Sequence, residues 1–352
     1  MRGRTTKQTS MLCLISLESR IPADHPLRAI KVLADAALVR LSNHFDAMYA
    51  ADGRPSIPPE RLLKALLLIA LHSVRSERQF CEQLEFNLLY RWFLDMDMME
   101  PAFDASTFSR NRQRMLGADI TGHFFRAVRD QGTELMSRDH FSVDGTLIEA
   151  WASLKSFRPK DDDSGDNNGW GDFRGAKRSN QTHQSKTDSE ARLMRKGRGR
   201  EAKLSFGGHA LVENRHGLLV DLRISEANGR CERQTALQML ERQRAHRITL
   251  GADRGYDCAD FVEGCTKANI TPHVAQFTHR RSAIDARTVR HDGYAVSQRI
   301  RMRIEQVFGW IKAIAGLRRT RYKGRQRTQL AAHLVGAAYN LLRMARLVAF
   351  SP

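Results

Sequence analysis

Three carboxylate residues could do chemistry together, because each lies in a segment that can hold it on a rigid element. Asp144 lies within an apolar run, Asp253 directly follows the apolar run 248–252, and Glu305 lies in an amphipathic segment. An aspartate inside a strand is costly unless it is paired or binds a cation. Carboxylate oxygens are the ligands that hard cations prefer. Three of them could hold two Mg²⁺ ions, which can activate water and stabilise a leaving oxygen in phosphoryl transfer.

Spacing alone does not establish such a site. Asp253 follows Asp144 by 109 residues, and Glu305 follows 52 residues later. Taken singly, an aspartate in a sheet is commonly a capped or paired structural residue. A ligand role for Asp253 is supported by its place at the carboxyl end of a strand, where ligands collect in open α/β sheets.

The charge balance indicates a polyanionic partner. The 352 residues include 57 Lys and Arg against 39 Asp and Glu, which gives a net charge of +18. Excess cations attract phosphate, so nucleic acid is the favoured partner; the alternative is a basic protein that merely stays soluble. With 41% hydrophobic residues the chain can bury a core, which argues against global disorder. No run approaches the roughly 20 apolar residues of a membrane helix, so we expect a soluble cytoplasmic protein.

The order of predicted elements indicates an α/β fold. Apolar residues at helical spacing predict an all-helical region over residues 1–135, and the pattern changes near residue 140. Strands followed by alternating strands and helices are typical of layers built on a mixed sheet. The polar segment 156–200 lacks the apolar residues to fold alone and is predicted to be a flexible basic insertion. Helices are predicted at 30–41, 60–74, 77–89, 104–116, 233–244, 258–268, 298–315 and 329–348, and strands at 141–150, 203–213, 218–224, 248–252 and 270–275.

Short motifs along the chain point to one family. In the N-terminal region they are His25-Pro26-Leu27-Arg28, Ser76-Glu77-Arg78-Gln79, Asn87-Leu88-Leu89-Tyr90-Arg91-Trp92-Phe93 and Ser106-Thr107-Phe108-Ser109-Arg110-Asn111-Arg112. Later they are Val143-Asp144-Gly145-Thr146, Thr182-His183, Thr187-Asp188, Ala191-Arg192-Leu193, Gly208-His209, Ala252-Asp253-Arg254-Gly255-Tyr256, and Arg-x3-Glu-x6-Lys at Arg301, Glu305 and Lys312. Each is weak alone. Together, over nearly the whole chain, they resemble the DDE transposases of bacterial insertion sequences, specifically insertion sequence family five.

The resemblance implies a fold, an activity and a cofactor. It implies a ribonuclease-H-like catalytic domain over 136–352, preceded by a helical region over 1–135 that binds DNA ends. Asp144, Asp253 and Glu305 would be the catalytic and metal-binding triad, with two Mg²⁺ ions for which Mn²⁺ can substitute. The protein would bind the terminal inverted repeats of its element, cleave double-stranded DNA and join the 3′-OH to target DNA. It would work as a homodimer or larger assembly at the bacterial nucleoid.

Several basic residues are candidate DNA ligands. In the predicted helix 298–315, Arg301 and Lys312 fall in the same sector as Glu305 and could bind phosphates beside the scissile bond. The alternative is an Arg301–Glu305 ion pair within the helix. The family pattern has Tyr where this chain has Gln298, which leaves the role of that position open. Arg110, Arg112 and Arg114 could place the helix 104–116 in a major groove, or could form an ordinary solvated face.

Two further classes of function remain compatible with the residues. A transposase-derived regulator would bind DNA without catalysis, although such descendants tend to lose a triad carboxylate and all three are present. A related nuclease would cut DNA without joining it. Near the triad, His209 is at least as well explained as a buried sheet histidine, and Asp257 is predicted to cap the helix that follows it.

Overall fold

The computed structural model describes residues 16–49, 56–117, 119–160, 178–197, 199–241 and 246–349. Within these ranges no helix has both the length and the apolar character needed to cross a membrane.

The N-terminal region is helical, as predicted. Its helices begin where cap residues stand: Ser76 accepts a hydrogen bond from the Gln79 backbone, and Asp104 accepts from the Ser106 backbone. The predicted helix 77–89 is two helices, because Asn87 leaves helical geometry and its side chain caps the second one. The helices are α1 (Leu17–Arg20), α2 (Leu27–Val39), α3 (Ser42–Asp46), α4 (Pro59–Leu71), α5 (Glu77–Phe86), α6 (Leu88–Phe93), α7 (Ala105–Gly117) and α8 (Ile120–Gln131).

A mixed sheet follows the helical region. Its strands and those of a small second sheet are β1 (His140–Glu149), β2 (Phe157–Pro159), β3 (His183–Ser185), β4 (Arg192–Met194), β5 (Lys203–Glu213), β6 (Leu219–Glu226), β7 (Ile248–Ala252) and β8 (Ile270–Val274). β5 pairs antiparallel with β1 on one side and with β4 and β6 on the other. β7 lies parallel to β1, and β8 parallel to β7. Three antiparallel strands continued by two parallel ones, in the order β6-β5-β1-β7-β8, confirm the predicted ribonuclease-H-like fold.

Helices cover both faces of this sheet. The later helices are α9 (Cys231–Leu240), α10 (Ala259–Lys267), α11 (Ala286–Arg290), α12 (Asp292–Ile300), α13 (Arg303–Ala313) and α14 (Arg325–Ala349). On one face, Phe141 and Val143 of β1 pack with α9 and α10 in one apolar cluster. On the other, Ile304 and Val307 of α13 join a second cluster that includes Ile148. Burial on both faces explains why β7 is apolar along its length.

The helix α14 ties the N-terminal helices to the sheet. The amides of Gln329 and Asn340 hydrogen-bond the backbone of β6 at Leu219, Leu222 and Ile224, so this edge strand is covered. Apolar residues of α14 share one buried cluster with α2, α4 and α8. One hydrophobic core therefore joins the residues before and after 135. The predicted division into a DNA-binding region over 1–135 and a catalytic domain over 136–352 remains a prediction about function.

The predicted helix 298–315 is interrupted. α12 ends at Ile300, and the backbone of Ile304 and of Glu305 hydrogen-bonds three residues back, to Arg301 and Met302. The interruption has a physical cause, because different contacts hold the two helices. The buried Ser297 hydroxyl of α12 contacts His140 of β1 and His273 of β8. The apolar residues of α13 pack in the cluster that includes Ile148 of β1. Arg301 thus follows α12 as its C-cap, while Glu305 belongs to α13, and the prediction of one continuous helix over 298–315 is wrong.

The polar segment 156–200 is only partly described. Its described ends carry β2 and β3, which pair with each other, and β4, which extends the main sheet. These described ends form strands, which differs from the predicted flexible insertion. The reason is that the backbone of β4 pairs with β5, so this strand needs no apolar core of its own. Residues 161–177 and 198, on which the predicted flexibility also falls, lie outside the described residues.

Candidate active site

Asp144 and Asp253 lie two residues beyond the last paired residues of the adjacent parallel strands β1 and β7. β1 and β7 pair His140 with Thr249 and Ser142 with Gly251, a constant offset of 109 residues. Asp253 follows Asp144 by the same offset and comes directly after β7. Since partners in a parallel register project to the same face of the sheet, the two carboxylates lie side by side at the carboxyl end of β7.

The electrostatic environment of Asp144 disfavours its charge. Burial, and then the neighbouring Asp253, raise the pKa of Asp144 to about 7, and Glu232 adds to the effect. The Gly145 backbone, which donates to Asp144 at 2.7 Å, and the charge of Arg301 act in the opposite direction. Two adjacent carboxylates, one with a strongly raised pKa, form an edge that a divalent cation would stabilise.

Arg301, the residue that follows α12, lies at the same edge. Gly251 makes room for it, since a Cβ on Gly251 would lie 3.3 Å from the Cβ of Arg301. The Gln298 amide donates to the His273 carbonyl at 2.5 Å and accepts from Nε of Arg301 at 2.9 Å. Gln298 therefore connects β8 to the guanidinium, and this contact gives the position that departs from the family pattern a defined role in positioning Arg301.

Lys312 reaches the site from α13. Its Nζ donates to Thr146 Oγ1 at 2.5 Å. Thr146 lies two residues beyond Asp144 on β1 and therefore on the same face of the sheet. Burial, with Lys196 and Arg318 adding, lowers the pKa of Lys312, while Glu149 and Asp144 oppose that effect. The ammonium thus lies within electrostatic reach of Asp144.

Glu305 is exposed on α13, and its placement is less complete. It precedes Lys312 by seven residues, about two helical turns, and so lies on the same side of the helix. α13 runs in the direction of β1, because Arg303 near its start donates to the Asn214 carbonyl beside His140. No hydrogen bond in the described ranges joins Glu305 to either aspartate, and no cluster of three metal-ligating side chains is preformed there.

The structure brings a fourth carboxylate, Glu232, to the aspartates. Glu232 lies in the first turn of α9 and packs on Gly145, so closely that a Cβ on Gly145 would lie 2.7 Å from its Oε1. Partial burial, and then Asp253, raise the pKa of Glu232. Sequence reasoning missed this residue, although a glycine directly after Asp144 was a signal that another group approaches the strand.

Two neighbouring residues have structural partners. His209 is fully buried on β5, its Nε2 lies 2.8 Å from Ser225 Oγ, and burial lowers its pKa to about 4, which agrees with a neutral sheet histidine. The prediction that Asp257 caps the next helix is wrong. Its buried carboxylate instead accepts from the backbones of Phe277 and Ala283 and so anchors the loop after β8, because these amides have no strand partner.

The arginines of α7 differ in their availability. Arg112 forms an ion pair with Glu77 and lies over the ring of Tyr322, 4.9 Å from its centroid. Arg114 lies over the ring of Tyr49 at 4.8 Å. Arg110 is exposed and makes a hydrogen bond of 3.3 Å to Ser106. Arg110 is therefore the most available of the three for a phosphate.

A basic groove runs between α7 and the segment that precedes α14. Its volume is about 350 Å³, and all of its charged lining residues are cations. Arg321 donates to the Val74 carbonyl, whereas Arg110, Lys323 and Arg327 are exposed and form no ion pair with the described part of the chain. The groove is lined by Ser109, Arg110, Arg112, Gln113, Arg321, Tyr322, Lys323 and Arg327. Sequence reasoning found its α7 side and missed residues 321–327, because the fold alone brings them together.

Two family models match the chain. The family model described as Transposase DDE domain matches residues 136–341, and the one described as Transposase domain (DUF772) matches residues 15–114. Among solved structures, the piggyBac transposase synaptic complex with hairpin DNA is 8% identical, with a TM-score of 0.43, over 93% of this chain and 76% of that one. A pre-cleavage Mos1 transpososome is 11% identical, with a TM-score of 0.20, over 92% of this chain and 98% of that one. No curated protein matches the chain.

Proposed function

Since the chain belongs to the DDE transposases and is a DNA transposase, we propose that it cleaves DNA at the ends of an insertion sequence and joins the freed 3′-OH to target DNA. Asp144, Asp253 and Glu305 are the proposed catalytic residues. The observation that carries the proposal is the parallel register of β1 and β7, whose continuation by two residues sets Asp144 beside Asp253. Two carboxylates then lie together at the edge of the sheet where ligands bind.

DDE transposases use divalent metal ions, and the residues present fit such an ion. Asp144 and Asp253 supply carboxylate oxygens, and the raised pKa of Asp144 reflects a negative site that a cation would neutralise. We propose that the metal is Mg²⁺, with two ions held by Asp144, Asp253 and Glu305, and that Mn²⁺ can substitute. Bound there, the ions would activate water and stabilise the leaving 3′ oxygen.

The cations of the chain bind and orient the DNA in this proposal. Arg301, held by Gln298, and Lys312, held by Thr146, bind phosphates on either side of the scissile bond. Arg110, Arg112 and Arg114, with the basic groove, bind the DNA further along. Because phosphate contacts position without specifying, recognition of the terminal inverted repeats is assigned to the helical region 1–135.

The proposal extends to the assembly and the subgroup. Joining two ends to one target requires two active sites, so the working form is at least a homodimer on DNA. The N-terminal motifs favour insertion sequence family five, and the bacterial nucleoid is the expected place of action.

The test is a supercoiled plasmid that carries the element's two ends, incubated with the full chain with and without Mg²⁺. We expect nicking only with the metal, followed by strand-transfer products. Binding without nicking would favour the regulator without catalysis. Metal-dependent cutting that never yields joined products would favour a nuclease.

A further inference from the structure

We propose that Glu232 is a fourth carboxylate of the metal site and that the Tyr256 hydroxyl positions it. This inference rests on the proposed metal site at Asp144 and Asp253 and adds two residues that the triad does not contain. Glu232 would share a divalent cation with the two aspartates, on the side of the site opposite Glu305. Its carboxylate would accept a hydrogen bond from Tyr256.

The first observation is the close approach of Glu232 to Gly145. The Cγ and Oε1 atoms of Glu232 lie 2.6 and 2.7 Å from the position that a Cβ on Gly145 would take. A side chain at residue 145 would displace Glu232, so the glycine makes the contact possible. Because Gly145 directly follows Asp144, the approach places the Glu232 side chain beside the backbone that carries the first aspartate.

The electrostatic coupling agrees with this placement. Asp253 contributes to raising the pKa of Glu232, and Glu232 in turn contributes to raising the pKa of Asp144. Glu232 therefore lies within reach of both aspartates. It is also exposed at the start of α9, so a cation can reach it from solvent.

The second observation is an unpartnered buried hydroxyl. Tyr256 is 1% exposed, and its Oη has no hydrogen-bond partner within the described ranges. Tyr256 lies three residues after Asp253, and its backbone N–H donates to the Asp253 carbonyl at 3.2 Å. Its ring packs on Phe261 with a centroid distance of 5.0 Å. A buried hydroxyl without a partner is costly, so its retention suggests a partner in another state of the site.

The carboxylates identify that partner. After burial itself, Glu232 is the largest cause that raises the pKa of Tyr256, followed by Asp144 and Asp253. The Tyr256 side chain also lies in the apolar cluster that includes Ala236 and Met239 of α9, the helix that carries Glu232. The packing and the electrostatics therefore both point to Glu232. With a cation bound at the aspartates, an ionised Glu232 would accept a hydrogen bond from the Tyr256 hydroxyl, as metal-binding carboxylates commonly do from outer groups.

The test measures Mn²⁺ binding to the full chain without DNA, by the free-Mn²⁺ signal in electron paramagnetic resonance. Glu232→Gln should weaken binding about 10- to 100-fold. Tyr256→Phe should weaken it less. Because Tyr256→Phe removes only the unpartnered hydroxyl, the melting temperature of the metal-free protein should not fall. Asp260→Asn is the matched control, because Asp260 is an exposed acid in the first turn of the neighbouring α10.

The variants separate this inference from the proposed function. Wild-type Mn²⁺ affinity in both Glu232→Gln and Tyr256→Phe, with affinity lost in Asp144→Asn, would overturn the fourth carboxylate and leave the aspartate site intact. Wild-type affinity in Asp144→Asn would overturn the aspartate site itself. A lower melting temperature for metal-free Tyr256→Phe, with unchanged Mn²⁺ affinity, would show that the hydroxyl only supports the fold and would overturn its positioning role.

Discussion

Lys312 donates a hydrogen bond to Thr146, which lies two residues beyond Asp144 on the same face of β1. This bond joins α13 to the strand that carries the first aspartate. Because α13 also carries Glu305 about two turns earlier, the bond fixes the helix against β1 and limits where Glu305 can lie. Lys312 is thus placed to position α13, and phosphate binding at the aspartate edge is the further role that we propose for it.

Lys312→Ala should fold normally and lose cleavage or tight binding of the cut end. Removing one cation that stabilises developing charge commonly costs about 100-fold in rate. Arg301→Ala should behave similarly. The measurement is cleavage of an end-bearing plasmid, with circular dichroism to verify folding.

Lys267→Ala is the matched control for these two variants. Lys267 is exposed at the end of α10, and it pairs only with Glu263 among the described residues. α10 begins beyond β7 and runs back along the sheet, so its end lies far from Asp253. Wild-type transposition by both Lys312→Ala and Arg301→Ala would show that the two cations are structural.

Gln298→Ala should lower cleavage through Arg301. The Gln298 amide bridges the His273 carbonyl and Nε of Arg301. A hydrogen bond to a charged group contributes about 1.5–3 kcal/mol, which corresponds to a loss of about tenfold or more. The double variant Gln298→Ala, Arg301→Ala should cleave only slightly more slowly than Arg301→Ala, because Gln298 acts on cleavage through Arg301. Full additivity of the two losses, measured as cleavage rates, would contradict this coupling.

Asp144→Asn should stabilise the metal-free protein, increasingly so as the pH rises from about 4 to about 7. The folded pKa of Asp144 is about 7 against an ordinary 3.8, so the folded state holds a proton that the unfolded chain has lost. Stability therefore falls as the pH rises from about 4 to 7. The loss at pH 8 is at most about 4 kcal/mol, and the amide removes it.

Thermal melts of the metal-free proteins at pH 5 and pH 8 measure this effect. The gain in melting temperature for Asp144→Asn over wild type should be larger at pH 8 than at pH 5. Equal melting temperatures of wild type and Asp144→Asn at pH 8 would mean that other groups compensate the Asp144 charge in the folded protein, which would contradict this prediction.

Replacing Arg110, Lys323 and Arg327 with alanine should weaken DNA binding without changing sequence preference. These exposed cations line the basic groove. If each contacts one phosphate, the slope of log affinity against log salt should fall by about 3. Fluorescence anisotropy with terminal and random duplexes measures both quantities. An unchanged slope would mean that the DNA does not contact these three cations. Loss of the preference for terminal over random DNA would mean that the groove contacts base edges as well as phosphates.

Much of the fold follows from local pattern. The strands 248–252 and 203–213 were predicted at their observed bounds, because the turn residues that follow each of them mark where it ends. The place of Asp253 at the carboxyl end of a strand was also predicted, because it directly follows the apolar run 248–252. The fold class and the family could therefore be inferred from residues alone.

What could not be inferred depends on tertiary contacts. The break between α12 and α13 leaves helical periodicity nearly unchanged, so apolar spacing through Ile300 and Ile304 reads as one helix. The approach of Glu232 to Gly145 needs the crossing of α9 over β1. Likewise, Lys323 meets Arg110 only because the segment before α14 returns to α7.

The most direct test of the account compares DNA cleavage with DNA binding in Asp144→Asn, Asp253→Asn and Glu305→Gln. Each amide keeps the shape of the side chain and removes a negative oxygen ligand. End binding should stay near wild type, since it comes from distributed Lys and Arg contacts, while cleavage with Mg²⁺ should be abolished in all three. Cleavage at near the wild-type rate by any one of them would place that residue outside the active site.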